Sequence, residues 1–175
     1  MSPTKQSAIA AWFTGLPAAG KSTIASEVAR ILRSQKMTVV LLDSDELRHV
    51  LTPDPTYSAA ERNWFYDAVG FIAALLANNG VTTLIAATAP QRKHRNRARG
   101  RIDRFVEVYV DCTVEECRKR DPKGLWNQQK KGKISTLPGA GVPYEEPLEP
   151  EVVVDSRLLG PKEAARLVSQ ALLST

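Results

Sequence analysis

Apolar residues come along this chain in short unbroken runs separated by amphipathic stretches, and that rhythm predicts the fold. "AIAAWFTG" (8–15) and "MTVVLLD" (37–43) are runs of strand length without polar alternation, as expected of strands buried on both faces. Between them Ile24, Val28, Ile31 and Leu32 recur at helical spacing among polar residues. Strand, glycine turn, helix and strand in that order make a βαβ unit. A second amphipathic stretch starts at Ser58, an N-cap residue with Glu61 three positions on, as in a capping box. Its apolar face runs through Phe65, Val69, Ile72 and Leu76, and Asn79-Gly80 ends it. "VTTLIAAT" (81–88), "FVEVYVD" (105–111) and "EVVVDS" (151–156) are further strands, and helices are expected over 91–103, 113–120 and 161–173, the last with Pro in its first turn. The alternation predicts one α/β domain: a five-stranded parallel sheet, helices on both faces, and ligands at the carboxyl ends of the strands. Regularity fails between about 122 and 150, where residues 138–150 alone hold four prolines and two glycines. So long an irregular stretch inside a compact domain reads as a functional lid, placed at about 122–146.

Length and composition narrow the class. The 175 residues are one domain's worth of chain, long enough to bury a continuous core, and 43% hydrophobic with 25% charged residues argues against disordered and fibrous classes. No run of about 18 apolar residues occurs, so no membrane span is expected. A signal peptide cleaved from the apolar start would remove the first strand, so a cytoplasmic protein is expected. Cys112 and Cys117 are spaced for neither a zinc pair nor a redox motif and read as ordinary buried thiols. His49 and His94 lack a metal or triad spacing and read as surface residues or as supports behind a site.

The net charge of +5 is concentrated: residues 91–104 carry seven Arg or Lys against one Asp, and residues 117–133 carry seven against one. Such blocks either hold a polyanion or form solvated helix faces. Neither block interleaves aromatic residues, so a nucleic acid is not expected as a partner.

The chemistry starts at "GLPAAGKST". Gly15, Leu16, Pro17, Ala18, Ala19, Gly20, Lys21, Ser22 and Thr23 match the phosphate loop in full, between a strand and a helix as the motif requires. Glycines allow the wrap that turns backbone N–H groups toward phosphate oxygens, and the helix beginning near Lys21 adds unpaired amides and the positive end of its dipole. Lys21 is expected on the β- and γ-phosphates of ATP and Ser22 on Mg2+. The fold is then that of the P-loop NTPases, in their nucleotide-kinase-like form. After the second strand, "LLDSDELRH" puts Asp43 and Asp45 two apart, on one side of an extended chain. Asp45 would orient or deprotonate an acceptor hydroxyl while Asp43 helps to hold magnesium through water. The competing reading is that both acids cap "ELRHVL". Arg48 and Arg62 are suited to hold an anionic acceptor in line.

Beyond these motifs the chain resembles the adenylylsulfate kinases, which phosphorylate the 3′-hydroxyl of adenosine 5′-phosphosulfate (APS) with Mg-ATP. The resemblance runs from about residue 9 to 156 and is carried by "GLPAAGKSTIA", "LDSDELRH", "YSAAER", "FVEVYVDCTVEECRKRDPKGLW" and "GVPYEEPLEPEVVVDS". "RDPKGL" followed by "PYEEP" is its most specific part. It implies Asp45 beside the acceptor hydroxyl, Arg48 and Arg62 as substrate arginines, Tyr57 lining the substrate pocket, Lys123 in the lid, Arg120 at the ATP base, and a homodimer.

Several positions depart from the family pattern. Where the family usually reads "N-I-R-R-I-G", this chain has "FYDAVG" (65–70), so Phe65 stands for a substrate-binding Asn, and Asp67 and Ala68 stand for two arginines. An Asp facing the phosphosulfate would repel it by about 1 kcal/mol or more. Ala89 replaces a serine sometimes proposed as a phosphoenzyme, which favours direct transfer. Leu137 stands where a phenylalanine would stack on the substrate adenine, Ser44 replaces a glycine and Gln91 an aromatic. Arg92, Arg95 and the rest of that basic helix are left as candidates for an anionic group of the acceptor.

These departures lie mostly on the acceptor side. The expected function is direct in-line phosphoryl transfer from ATP, with Mg2+, to the 3′-hydroxyl of APS. The same scaffold acting on another small anionic nucleotide, for example a cytidine diphosphoramidate, is the alternative that Phe65 and Leu137 motivate. A non-catalytic nucleotide- or nucleic-acid-binding module would use the basic blocks, but Lys21, Ser22 and Asp45 speak against it. Of the aromatic trio at 64–66, Phe65 falls on the apolar stripe and is expected in the core; Trp64 and Tyr66 are left open.

Overall fold

The computed structural model describes residues 8–174, so residues 1–7 and Thr175 lie outside it. Five parallel strands, β1 (Ala10–Thr14), β2 (Val39–Asp43), β3 (Thr82–Ala86), β4 (Phe105–Asp111) and β5 (Val152–Asp155), lie in the order β2-β3-β1-β4-β5. The helices are α1 (Lys21–Ser34), α2 (Ser44–Leu51), α3 (Ala59–Asn78), α4 (Arg92–Arg99), α5 (Val114–Arg120), α6 (Leu125–Lys130) and α7 (Pro161–Ser174).

The central strand explains the unbroken apolar run. Every residue of β1 is buried, and alternate side chains serve different layers. Ala11 and Phe13 join Val28 and Leu32 of α1 and Val168 and Leu172 of α7, while Ala10 and Trp12 join Phe65, Val69 and Ala73 of α3. In the parallel register Phe13 lies between Ala86 and Val108, so the strands end together and their following loops gather at one edge of the sheet.

Two helices escaped the periodicity. α2 has one buried side chain, Arg48, and α6 one, Trp126, too few for an apolar stripe to be read. Both are capped by acids instead: Asp43 Oδ1 accepts the Asp45 amide at 2.8 Å, and the Asp121 carboxylate accepts the amides of Trp126 and Asn127 at 3.1 and 2.9 Å. α4 stops at Arg99, short of residue 103. Ser58 does cap α3, its Oγ accepting the Glu61 amide at 3.2 Å. Glu61 does not return the bond to Ser58, however; its carboxylate takes the amides of Thr56 and Tyr57.

Apart from α6, residues 122–150 are irregular but docked. Leu137 and Trp126 are buried within the α1–α7 core layer, and Trp126 Nε1 donates to Pro17 O at 3.1 Å. Gly139, at φ 88°, comes so near the phosphate loop that a Cβ there would lie 2.6 Å from Leu16. Further along, Tyr144 Oη bonds Thr14 Oγ1 at 2.9 Å and the Glu145 amide donates to Pro90 O at 2.8 Å. Both cysteines are buried and free. Among the described residues no helix is long and apolar enough to cross a membrane.

Candidate active site

A cleft of about 1230 Å³ opens at the carboxyl edge of the sheet. Its floor is the loop between β1 and α1. Gly15 has φ 150°, and a Cβ on it would lie 2.4 Å from Val110 O, so only glycine lets the loop leave β1 this close to β4. Gly20, at φ 105°, precedes α1 without any side-chain cap, and Gly20, Lys21, Ser22 and Thr23 all line the cleft. The first amides of α1 are thus offered to an anion. Lys21 Nζ donates to Gly15 O at 3.0 Å and Leu16 O at 2.7 Å. Burial pushes its pKa down to about 8, while Cys117, Asp45 and Asp43 pull upward and the nearby Lys123 pushes the same way as burial.

Asp43 and Asp45 both line the cleft, but not from one extended stretch of chain. The helix begins between them, so Asp43 is its cap and Asp45 lies in its first turn. Asp43 Oδ2 accepts from Ser22 Oγ at 2.5 Å, while Asp45 pairs with Lys123 at the start of the lid segment. The capping alternative and the functional reading therefore both describe Asp43: one oxygen caps α2, the other meets the phosphate loop. Ser22 and Asp43 are adjacent hard oxygen donors and fit Mg2+. No cluster of three His, Cys, Asp or Glu able to cage a metal occurs among the described residues, so phosphate oxygens and water would complete the coordination.

On the β2 side of the loop the wall is cationic and aromatic. Arg48 is buried, donates to Glu61 Oε1 at 3.1 Å, and lies 3.9 Å above the Phe65 ring and 4.8 Å from that of Tyr57. Arg62 donates to Tyr57 O at 3.0 Å and Thr136 O at 2.5 Å, tying the lid segment to α3; burial holds its pKa below the ordinary arginine value. Tyr57, Tyr66, Thr136 and Leu137 complete this wall. On the β4–β5 side, Arg120 donates to Ala19 O at 3.4 Å and Ser156 O at 2.8 Å, beside a shelf running from Arg157 to Pro161.

Other expected residues lie elsewhere. Arg92 is not in the cleft: its Nε donates to Glu146 O at 2.7 Å and its amide to Glu145 Oε2 at 2.8 Å. Arg95 is buried against Glu107 at 2.5 Å and donates to Ala89 O and Glu145 O. Arg99 pairs with Glu151, and Arg101 with Asp67 at 3.0 Å. Four members of the first basic block, Arg92, Arg95, Arg99 and Arg101, therefore fasten α4 and its end to their neighbours, and no residue of the block lines the cleft. Asp67 and Ala89 also lie outside the cleft lining, and Asp67, paired with Arg101, is not turned toward the cleft as expected. His94 is buried, not superficial: Nε2 bonds Asn63 Oδ1 at 2.9 Å, and burial lowers its pKa to about 4, with Lys93, Arg97, Arg95 and Arg62 acting the same way. Thr88, Tyr66 and the 157–161 shelf line the cleft without any motif to announce them, because loop-borne contacts have no period. Glu61 did carry a signal, but it pointed to a helix cap.

A parallel sheet of this order, with a phosphate loop after the central strand and an acid at the next strand's end, defines a P-loop kinase. Solved kinases of quite different acceptors share the fold, among them shikimate kinase from Acinetobacter baumannii, at TM-score 0.67 and 16% identity over 99% of this chain and 98% of that one. The family is narrower. The profile of the adenylylsulphate kinase family matches residues 7–155, and the chain belongs to that family. An adenylyl-sulfate kinase of Synechococcus sp. is 39% identical over 95% of each chain. A probable adenylyl-sulfate kinase of Halalkalibacterium halodurans is 42% identical over 83% of this chain and 71% of its own length. The Mycobacterium tuberculosis APS kinase CysC, solved in complex with AMPPNP and APS, superposes at TM-score 0.90 with 35% identity, covering 96% of this chain and 98% of that one.

Proposed function

We propose that this protein transfers the γ-phosphoryl group of ATP to the 3′-hydroxyl of APS, giving 3′-phosphoadenosine 5′-phosphosulfate (PAPS) and ADP, as a cytoplasmic homodimer. One observation carries the reading: a single cleft joins residues 17–23 of the phosphate loop, the Asp43 and Asp45 carboxylates beside them, an arginine-aromatic wall and the 157–161 shelf. Phosphoryl transfer needs little covalent help, so positioning and charge neutralisation do most of the work. The amides from Gly15 to Thr23 and the Lys21 ammonium hold the β- and γ-phosphates. Lys21 leaves the Gly15 and Leu16 carbonyls for phosphate oxygens as ATP enters. Arg120 and the 157–161 shelf receive the adenine of ATP.

Ser22, and Asp43 through water, would hold Mg2+, which would supply charge neutralisation for the phosphates when bound. Asp45 accepts the acceptor's hydroxyl proton, and Lys123, now its partner, turns to the acceptor's anionic group. Arg48, Arg62, Tyr57 and Leu137 form the acceptor pocket. Residues 122–146 close over it as a lid that excludes water, with Trp126 and Leu137 as its anchors. Transfer is direct, since Ala89 offers no nucleophile.

The test is a coupled ATP–APS assay with other nucleotides in parallel. Lys21→Ala and Asp45→Asn are each expected to lower PAPS formation by about 100-fold or more. Wild-type-like turnover in either variant would refute the assigned roles, and saturable use of a different nucleotide with none of APS would refute the substrate.

A further inference from the structure

The carboxylate of Glu61 binds four donors. Oε2 accepts the Thr56 amide at 2.5 Å and Thr56 Oγ1 at 2.7 Å; Oε1 accepts the Tyr57 amide at 3.2 Å and Arg48 Nη1 at 3.1 Å. All three residues so held, Arg48, Thr56 and Tyr57, line the cleft on the side away from the 157–161 shelf. Neither would take its observed pose unaided. Tyr57 has φ 55°, a left-handed conformation that costs a residue with a Cβ about 1–2 kcal/mol. The Arg48 side chain is 10% exposed, and its guanidinium would otherwise lie over Phe65 without the Glu61 counter-charge. Burial alone would raise the Glu61 pKa. The hydrogen bonds from Thr56 and Tyr57 and the charge of Arg48 outweigh it and keep the carboxyl below its ordinary range.

We infer that Glu61 is a positioning residue for the acceptor nucleotide, setting the Arg48 fork and the Tyr57 ring as one wall. It also gives Phe65 a purpose: the ring is the flat support on which Arg48 is laid, and Glu61 fixes which way the guanidinium points across it. The free edge of Arg48 then meets an anionic oxygen of the acceptor, and Tyr57 bounds its pocket. Because Glu61 touches nothing of the phosphate loop, its influence falls on acceptor binding. The inference rests on the kinase function proposed above.

The experiment compares Glu61→Gln, which keeps the shape and removes the charge, with Glu61→Asp, which keeps the charge with a shorter reach. Steady-state constants are measured with whichever nucleotide the wild-type protein phosphorylates, so an inert APS would sink the substrate proposal and leave this one open to test. Glu61→Gln is expected to raise KM for the acceptor about tenfold or more, with KM for ATP within twofold, and Glu61→Asp to recover part of the loss. Calorimetric titration of acceptor into the ADP-loaded protein reads the same change without turnover. Combined with Arg48→Lys, the acceptor penalties of Glu61→Gln should fall short of additive, because both act through one contact. An unchanged acceptor KM in Glu61→Gln overturns the inference. So does an equal rise in both KM values alongside a lower Tm, the pattern of a residue that only supports the fold. If Glu61→Gln does not fold, Thr56→Val removes one of the four bonds and should shift acceptor KM the same way by less; no shift there also overturns it.

Discussion

Lys21 shows how one side chain couples burial to ligand chemistry. Its ammonium is sequestered among carbonyls, and burial holds its pKa at about 8 in the free protein. A triphosphate binds the protonated form. Below about pH 8 the ammonium is ready-made; above it, binding must be accompanied by proton uptake, and affinity is lost by up to about tenfold per pH unit. ATP binding followed by calorimetry from pH 7 to 10 should therefore weaken above pH 8, with proton uptake visible in buffers of different ionisation enthalpy. An affinity independent of pH over that span would contradict the assignment. That Lys21 belongs to a phosphate loop was legible from nine consecutive residues, because the wrap is made by local backbone. The requirement for Gly15 set by Val110 O, 95 positions away in the chain, was not.

At the scale of elements, α3 and α4 show where charge patterning misleads. A helix with five Arg or Lys over eight residues reads as an anion site. Here its inward face is neutralised by carboxylates from other elements, Glu107 of β4 and Glu151 just before β5, while Asp67 of α3 pairs with Arg101 just beyond the helix. Arg95 is the centre of this layer, and its side chain is 1% exposed. Arg95→Met leaves the buried Glu107 with only the more distant Arg99, at 3.5 Å, and should cost about 3 kcal/mol of stability. Urea unfolding would measure it, and a loss under about 1 kcal/mol would show that Glu107 is relieved by other cations. Strand and long-helix positions were readable because apolar period follows burial. α2 and α6 were not, since each buries a single side chain and is held by an acidic cap and a tertiary contact.

For the whole molecule, assembly is the open property that surface composition addresses. Trp64, Phe71 and Leu75 are 54%, 61% and 55% exposed and fall on one side of α3 at spacings of seven and four. Apolar surface of this kind is what interfaces between copies cover. Light scattering should give about twice the chain mass of 19.2 kDa, and Phe71→Glu should shift it to the monomer. A wild-type mass of one chain would remove the homodimer from the proposal. The chain's order of residues by itself determined the α/β layering, the phosphate loop and the family, since each is written in local period or contiguous motif. Only the tertiary structure decided which charges face the cleft. It turned Arg92, Arg95 and Asp67 away, started a helix between Asp43 and Asp45, and brought Glu61 onto Arg48 and Tyr57. The reason is physical: a side chain's partner is set by how helices pack across the sheet, and residues far apart in sequence carry no record of the distance between them in space.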